Sequence, residues 1–358
     1  NLIHMLQRNY FLTLFLVLQI ICLNLLSLVP KFVEISYSNG WYPIVSQIER
    51  VIFGIFPFSV GDLLYAVVLI YLVYSCIATF RNRKFSWKTT LLKVTNHLSV
   101  LFFLFHVLWA FNYYRMPLFE KMNLSKAYSE SDLIQFTEKL IDKTNAVHLS
   151  STKNKLKRIQ PTWTQQEVFE KVQNGYQNLS SEYPYFTYSY ASQKTSLFSK
   201  PLTYMGFSGY LNPFTNEMQV NSLLPKSSAP MVVCHEMAHQ MGYASESECN
   251  FIGFLASTKN KDASIQYSGY ATALRYCLAL IAQKDEAKFV QLKRTLHPGI
   301  ILDFRHNEHF WKSYDTFIEK GFHAFYDNFL KMNQQKDGME GYSKFVNLMV
   351  NYYQNKPL

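Results

Sequence analysis

The sequence predicts a mainly α-helical protein in two parts: an N-terminal membrane region, residues 1–114, and an outer α+β domain, residues 115–358. Hydrophobic residues make up 49% of the 358, but only 17% are charged, and the apolar surplus is concentrated at the front. Helix-capping motifs precede several later stretches. Alternating apolar and polar residues with turn formers between Leu202 and Asn221 predict a short β-hairpin or small sheet.

Three apolar intervals in the first part lack Asp, Glu, Lys and Arg, and each approaches or exceeds the ~18–20 residues needed to cross a bilayer. They lie between Arg8 and Lys31, Asp62 and Arg81, and Lys93 and Arg115. We therefore predict transmembrane helices at about 10–30, 62–80 and 94–113. The alternative for the first is a cleaved signal peptide, but it ends in Leu28-Val29-Pro30 without a small-residue cleavage site.

The loop at 81–93 predicts the orientation. It contains five basic residues and no acidic one: Arg81, Arg83, Lys84, Lys88 and Lys93. Because basic loops stay in the cytoplasm, the N-terminus is expected inside and everything after Tyr114 outside. We expect an integral protein of a bacterial inner membrane with a periplasmic outer domain. The net charge of +10 partly reflects this topology, so the bilayer is an expected partner and nucleic acid is not.

Sequence motifs also predict helices in the outer domain. Ser129 with Asp132, and Thr164 with Glu167, can begin helices that run to about Val147 and Leu179. After the proposed hairpin, further helices are predicted near 266–283, 308–333 and 341–353. The domain is long enough to bury a core of its own.

The most informative segment is His235-Glu236-Met237-Ala238-His239. Two imidazoles four residues apart share one face of a helix, so both can bind one zinc ion, and Glu236 lies beside the open position of that ion. Ser227 or Ser228 can cap this helix, and Gly242 can end it. The alternative is that both histidines are ordinary core residues bonded to backbone carbonyls, which is unfavourable for two imidazoles and a carboxylate in an apolar helix.

A third ligand is expected from the next helix. The metzincin pattern would place a histidine at position 245, where the sequence has Ser245. Glu246 and Asn250 share a helix face, so Glu246 is the predicted zinc ligand and Asn250 the partner of a ligating imidazole. Glu248 is the alternative ligand, although it can also form a capping box with Ser245. Cys234 and Cys249 are expected to be small buried side chains.

The motif His235-Glu236-x-x-His239 followed by Glu246-x-x-x-Asn250 resembles the gluzincin arrangement of thermolysin-like and membrane-bound zinc peptidases. The segment from Cys234 to Phe251, with Asn212-Pro213-Phe214-Thr215 and the hydrophobic spans, is similar to an uncharacterised family of bacterial membrane proteins with a zinc-binding, gluzincin-like motif. This resemblance implies a zincin-like (gluzincin) outer domain in which an extended peptide pairs with the strand before the zinc helix. Asn250 stands where gluzincins usually have Asp, and the spacer before Glu246 is shorter than in thermolysin.

The expected function is a membrane-anchored zinc metallopeptidase that hydrolyses peptide bonds. Zinc held by His235, His239 and Glu246 activates a water, with Glu236 as general base. The alternative is a non-catalytic, zinc-containing membrane sensor or scaffold, which a closed four-ligand site would favour. A weaker third option is zinc hydrolysis of a non-peptide bond. Tyr270, Arg305, His306 and His309 are unranked candidates for stabilising the oxyanion.

Overall fold

The computed structural model describes residues 2–81, 86–335 and 342–358, and 71% of the chain is helical. The mainly α prediction is therefore confirmed. The α-helices in chain order are α1 (Leu2–Leu26), α2 (Pro30–Val33), α3 (Tyr42–Gly54), α4 (Val60–Arg81), α5 (Trp87–Leu108), α6 (Leu118–Lys121), α7 (Glu130–Thr152), α8 (Gln165–Glu182), α9 (Ser199–Tyr204), α10 (Ala229–Gln240), α11 (Glu246–Thr258), α12 (Ala263–Lys284), α13 (Glu286–Lys293), α14 (Pro298–Lys312), α15 (Phe317–Met332) and α16 (Tyr342–Tyr352). Short π or 3-10 segments cover Glu34–Trp41, Ala110–Tyr114 and Pro184–Phe186.

Two or three helices are long and apolar enough to span a membrane. Val60–Thr79 of α4 and Trp87–Leu108, the whole of α5, qualify alone, while Tyr10–Leu26 qualifies with Pro30–Gly54 across a 104° bend. The third span was predicted at 94–113, but the helix runs from Trp87 to Leu108. It begins earlier than predicted because Lys88 and Lys93 are part of its first turns. Long lysine side chains permit this, since their stems lie along apolar surface while the ammonium reaches water. Arg83 and Lys84 of the predicted basic loop lie outside the described residues.

The candidate membrane-spanning helices form one close pair and one separate helix. Polar side chains join α1 to α5: the Thr13 and Thr95 hydroxyls are 2.9 Å apart, and Gln19 Nε2 donates to Ser99 Oγ at 3.1 Å. Within the described residues, α4 makes no extended contact with either α1 or α5. It stands apart from the pair along its length.

The N-terminal end of α4 is attached to the outer domain instead. The Glu217 carboxylate accepts hydrogen bonds from the backbone N–H groups of Val60, at 3.1 Å, and Gly61, at 2.5 Å. An acidic group at the start of a helix also opposes the positive end of the helix dipole. Asp62 in turn accepts from Leu197 N at 2.7 Å and from the Tyr210 hydroxyl. The sheet region therefore positions one end of a membrane helix.

The small sheet has the strand order β1-β3-β2, where β1 is Gln193–Thr195, β2 is Gly209–Leu211 and β3 is Met218–Val220. Strand β1 pairs with β3 in parallel and β2 pairs with β3 antiparallel, with Tyr210 opposite Gln219. The predicted small sheet before α10 is confirmed. Strand β2 lies at one edge, beside α10.

Local capping signals predicted two helices of the outer domain correctly. Both capping boxes form: Ser129 with Asp132 at the start of α7, and Thr164 with Glu167 at the start of α8. The predicted helix at 308–333 was wrong in extent, because the chain breaks at Ser313–Thr316 and the two pieces belong to α14 and α15. No proline or glycine marks this break, so the local sequence gave no signal for it.

The core of the outer domain surrounds α10 and α11, which cross closely. Val233, Met237, Phe251 and Phe254 are fully buried in the main hydrophobic cluster. The crossing depends on Gly253, since a Cβ at this position would lie 3.0 Å from the backbone nitrogen of His235. A side chain there would push the two helices apart. The two helices that carry the predicted metal ligands are thus held in direct contact.

Candidate metal centre

Helix α10 holds both histidines on a short, buried segment. Pro230 lies in its first turn, and Gly242 follows its end with a φ of +85°, a conformation that favours glycine. The predicted serine cap does not form: Ser228 makes no capping bond, and its hydroxyl donates to Pro225 O at 3.0 Å. The boundaries were therefore predicted well, although one of the reasons was wrong.

Three predicted ligands meet at one point. His235 Nε2 lies 3.1 Å from His239 Nε2 and 3.1 Å from Glu246 Oε2, and His239 Nε2 lies 3.7 Å from the same oxygen. Donors held ~2.1 Å from a tetrahedral ion are about 3.4 Å apart, so this spacing fits a zinc ion. These side chains form the one cluster of three or more His, Cys, Asp or Glu residues within the described residues that could hold a metal.

The second nitrogen of each imidazole is occupied by a fixed partner. His235 Nδ1 lies 2.9 Å from Asn250 Oδ1, and His239 Nδ1 lies 2.8 Å from the carbonyl oxygen of Tyr243. Because both partners are acceptors, each Nδ1 carries a proton, and each Nε2 faces the centre, where it would present a lone pair to a metal or, without one, a proton to the Glu246 carboxylate. Protonation of Nδ1 is what metal binding at Nε2 requires, and Asn250 lies where the sequence analysis placed it.

Glu236 lies beside the three ligands with one oxygen unsatisfied. Its side chain is buried, and Oε2 has no hydrogen-bond partner. Burial raises the pKa of Glu236 and Glu246 raises it further, against the opposing effect of the two imidazoles. A Cβ at Gly209 of β2 would come within 2.8 Å of Glu236 Oε1, so only glycine leaves this carboxylate its space. An orphaned buried carboxylate oxygen needs a partner, and a water beside a metal would supply one.

Glu246 is held ready to bind a cation. Burial alone would raise its pKa, but the two imidazoles hold it well below the usual range, so the group is a carboxylate at neutral pH. Its other oxygen, Oε1, accepts from the Tyr326 hydroxyl at 2.8 Å. The sequence analysis missed Tyr326, which belongs to α15, because no motif connects it with a glutamate 80 positions earlier.

The alternative ligand, Glu248, points away from the centre. Its Oε1 accepts a hydrogen bond from the backbone N–H of Leu118 at 2.6 Å, and Ser245 makes no side-chain capping bond. The predicted capping box between Ser245 and Glu248 was therefore wrong, because a backbone donor from a distant segment binds that carboxylate. The structure thus places Glu246, and not Glu248, with the two histidines.

Cys234 and Cys249 are buried and free, as predicted for small core side chains. Cys249 Sγ also contacts His239 Nδ1 at 3.2 Å and donates to Tyr243 O at 3.1 Å. Burial raises the pKa of the Cys249 thiol to about 11, so it remains protonated at neutral pH. The Cys249 thiol thus contacts the Nδ1 side of the His239 ring, while Nε2 faces the centre.

A cavity of about 2030 Å³ opens at the centre. His235, Glu236, His239, Glu246 and Asn250 all line it. Its walls also include β2 and parts of α5, α12, α14 and α15. Of the four candidate oxyanion stabilisers, Arg305 is the one that lines this cavity, while Tyr270 packs against Phe254 in the core.

Comparison with known protein families finds one family whose sequence model matches this chain. The sequence model of DUF3810, described as a protein of unknown function, matches residues 37–350. The chain belongs to the DUF3810 family. Its matched region includes α4, α5, the sheet and the whole metal centre, so the family unit joins membrane helices to the site. No curated protein and no solved structure matches the chain.

Proposed function

We propose that this protein is a membrane-anchored zinc metallopeptidase that hydrolyses peptide bonds. The observation that carries the proposal is the convergence of His235, His239 and Glu246 beside the unpartnered oxygen of Glu236. Three protein ligands with an open position are typical of catalytic zinc sites, whereas structural sites use four. The large cavity at the centre supports the same choice over a closed structural site in a sensor or scaffold.

The roles of the side chains follow from their contacts. Zinc bound there would lower the pKa of a water towards ~7 and polarise the scissile carbonyl. Glu236 accepts the proton of the attacking water and delivers it to the leaving amine, a role supported by the buried, unpartnered Oε2 beside the three ligands. Asn250 and the Tyr243 carbonyl hold the imidazoles, and Tyr326 holds Glu246.

The edge of β2 supports a peptide as the substrate. Ser208 O accepts from Asn221 N, and Asn212 N donates to Glu217 O, so these residues bond inward to the β3 side. In an antiparallel pair the alternate residues, Gly209 and Leu211, direct their N–H and C=O groups outward. An extended chain can add to this edge next to Glu236. Together with α10 and α11, the strand supports a zincin-like (gluzincin) arrangement.

The positions of the membrane helices support the proposed topology. The ends of α1, α4 and α5 near Leu26, Val60 and Leu108 lie on the side of the outer domain, which leaves Arg81 and Trp87 at the opposite ends of α4 and α5. With the basic residues of the predicted loop at 81–93 in the cytoplasm, the metal centre faces the periplasm of a bacterial inner membrane.

The experiment that tests the function is Glu236→Gln in the purified full-length chain. We expect the variant to keep one zinc per chain but to lose cleavage of a denatured protein substrate by ~10²–10⁴-fold, because the general base is removed while the ligands remain. Zinc is measured by elemental analysis and cleavage by release of peptides.

The matched control is Glu170→Gln, an exposed glutamate on α8 that does not line the cavity. This variant should cleave like the wild type. Unchanged cleavage by the Glu236→Gln protein would exclude Glu236 as the base, and absence of zinc from the wild-type chain would exclude the metal.

A further inference from the structure

The cavity at the metal centre continues between the membrane helices. Its lining includes apolar residues from all three: Leu16 of α1, Tyr65, Ala66 and Leu69 of α4, and Leu98, Leu101, Phe102 and Phe105 of α5. The ligands His235, His239 and Glu246 line the same space. One continuous volume therefore joins the proposed site of hydrolysis to the part of the chain that lies in hydrocarbon.

The depth of this membrane part is close to one leaflet. Its deepest lining residues, Leu16 and Leu98, each lie ten positions from the domain-side ends of their helices at Leu26 and Leu108. At a rise of 1.5 Å per residue this is about 15 Å. The hydrocarbon core of a bilayer is about 30 Å thick, so the cavity reaches roughly its middle.

The gap beside α4 gives a route from the lipid. Within the described part of the chain, α4 has no extended contact with α1 or α5, although all three line the cavity. Leu69, on the cavity wall, is 62% exposed, and none of the described segments covers it. A hydrocarbon chain can therefore enter sideways without leaving apolar surroundings.

The part of the cavity lined by α12, α13 and α14 combines apolar residues, among them Leu278, Phe289 and Phe304, with several charged ones. Arg275, Lys293 and Arg305 line it on α12, α13 and α14, where Glu308 is the acidic residue. All three cations are exposed. The volume thus joins apolar walls on α1, α4 and α5 to the metal centre and to three exposed cations, which matches an amphipathic molecule.

We propose that the substrate is a lipid-anchored polypeptide whose hydrocarbon chain occupies the space between α4 and the α1–α5 pair while its backbone lies along β2. The inference rests on the proposed peptidase function and names its substrate class. A transmembrane helix fits less well, because it needs ~20 residues to cross the bilayer and a diameter of about 10–12 Å, whereas the cavity reaches only the middle.

The test is photolabelling with a short peptide that carries an N-terminal fatty acyl chain with a terminal diazirine. The full-length chain carries Glu236→Gln, which prevents turnover, and is reconstituted with zinc in phosphatidylcholine vesicles. We expect labels on the cavity-lining residues of α4 and α5.

Leu69→Trp should lower the labelling yield about tenfold, since the added side-chain volume fills the space that the acyl chain needs. Ile70→Trp is the matched control, because Ile70 is 69% exposed and lies off the cavity wall.

A second pair of variants, on α5, keeps the test decisive if one of the α4 variants fails to fold. Leu101 lines the cavity and Leu104 does not, so Leu101→Trp should reduce labelling and Leu104→Trp should not. Equal labelling across both pairs would overturn the inference, as would displacement of the label by an unacylated transmembrane peptide. Cleavage by the wild-type chain is measured in parallel with the acylated and unacylated peptides. Cavity-specific labelling without cleavage of either peptide would uphold the lipid site and overturn the peptidase.

Discussion

Asn250→Ala tests whether the metal centre is organised as its contacts indicate. Asn250 Oδ1 lies 2.9 Å from His235 Nδ1 and fixes the proton on that nitrogen, which leaves His235 Nε2 free to bind metal. Alanine removes the acceptor without touching any of the three ligands. The imidazole can then rotate or carry its proton on Nε2, and each change must be reversed before the ion binds.

The expected magnitude is a 10- to 100-fold increase in the zinc dissociation constant, which is about 1.4–2.7 kcal/mol. The fold should lose little, because Asn250 is only partly buried and the deletion leaves its face of α11 open to the cavity. The assay is a competition titration of zinc against a chromophoric chelator, with the purified full-length chain in detergent.

Asn260→Ala is the matched control. Asn260 is buried just beyond the end of α11 and donates to Lys171 O at 2.8 Å, so its loss affects the fold but not the metal centre. Asn250→Asp keeps an acceptor oxygen and should retain most of the affinity. An unchanged dissociation constant in Asn250→Ala, or an equal loss in Asn260→Ala, would refute the assigned role of Asn250.

Two further predictions concern neighbouring charges. Glu246→Gln should lose stoichiometric zinc, because Glu246 faces the histidines and Glu248 does not. Glu248→Gln should keep zinc but unfold at a lower temperature. Equal zinc contents in the two variants would reject this assignment. Arg115→Ala should lower the free energy of unfolding by about 3 kcal/mol, because it removes two hydrogen bonds from the buried Glu34 carboxylate, which keeps Lys121 as its cation, and frees Gly242 O. Thermal unfolding measures this loss, and Lys126→Ala, in an exposed pair with Glu120, should stay near wild type.

The local parts of the site were predictable because their geometry lies within a few helical turns. Spacing alone puts His235 and His239 on one face, and the same rule puts Glu246 and Asn250 on one face of the next helix. The two capping boxes at α7 and α8 formed for the same reason, since each joins residues three positions apart. Short-range rules thus predicted the side chains that converge in the cluster, the partner of His235 and the small sheet.

Long-range contacts decided everything that local rules missed. Ser245 and Glu248 fit the capping-box pattern as well as Thr164 and Glu167 do, yet Leu118 N binds the Glu248 carboxylate. The hydroxyl of Tyr326 reaches Glu246 from another helix. Neither contact leaves a signal in the sequence near the motif, because each depends on how separate helices pack.

The cavity is the feature that local sequence rules predict least, and it connects the candidate membrane-spanning helices to the site. Its walls come from α1, α5, β2 and α12, so no window of sequence contains it. Strand β2 lies against Glu236, and the start of α4 is bonded to the same sheet region through Glu217 and Asp62. A movement of α4 would therefore change both the membrane gap and the peptide edge. The candidate membrane-spanning helix α4 and the candidate metal centre are thus connected through the small sheet.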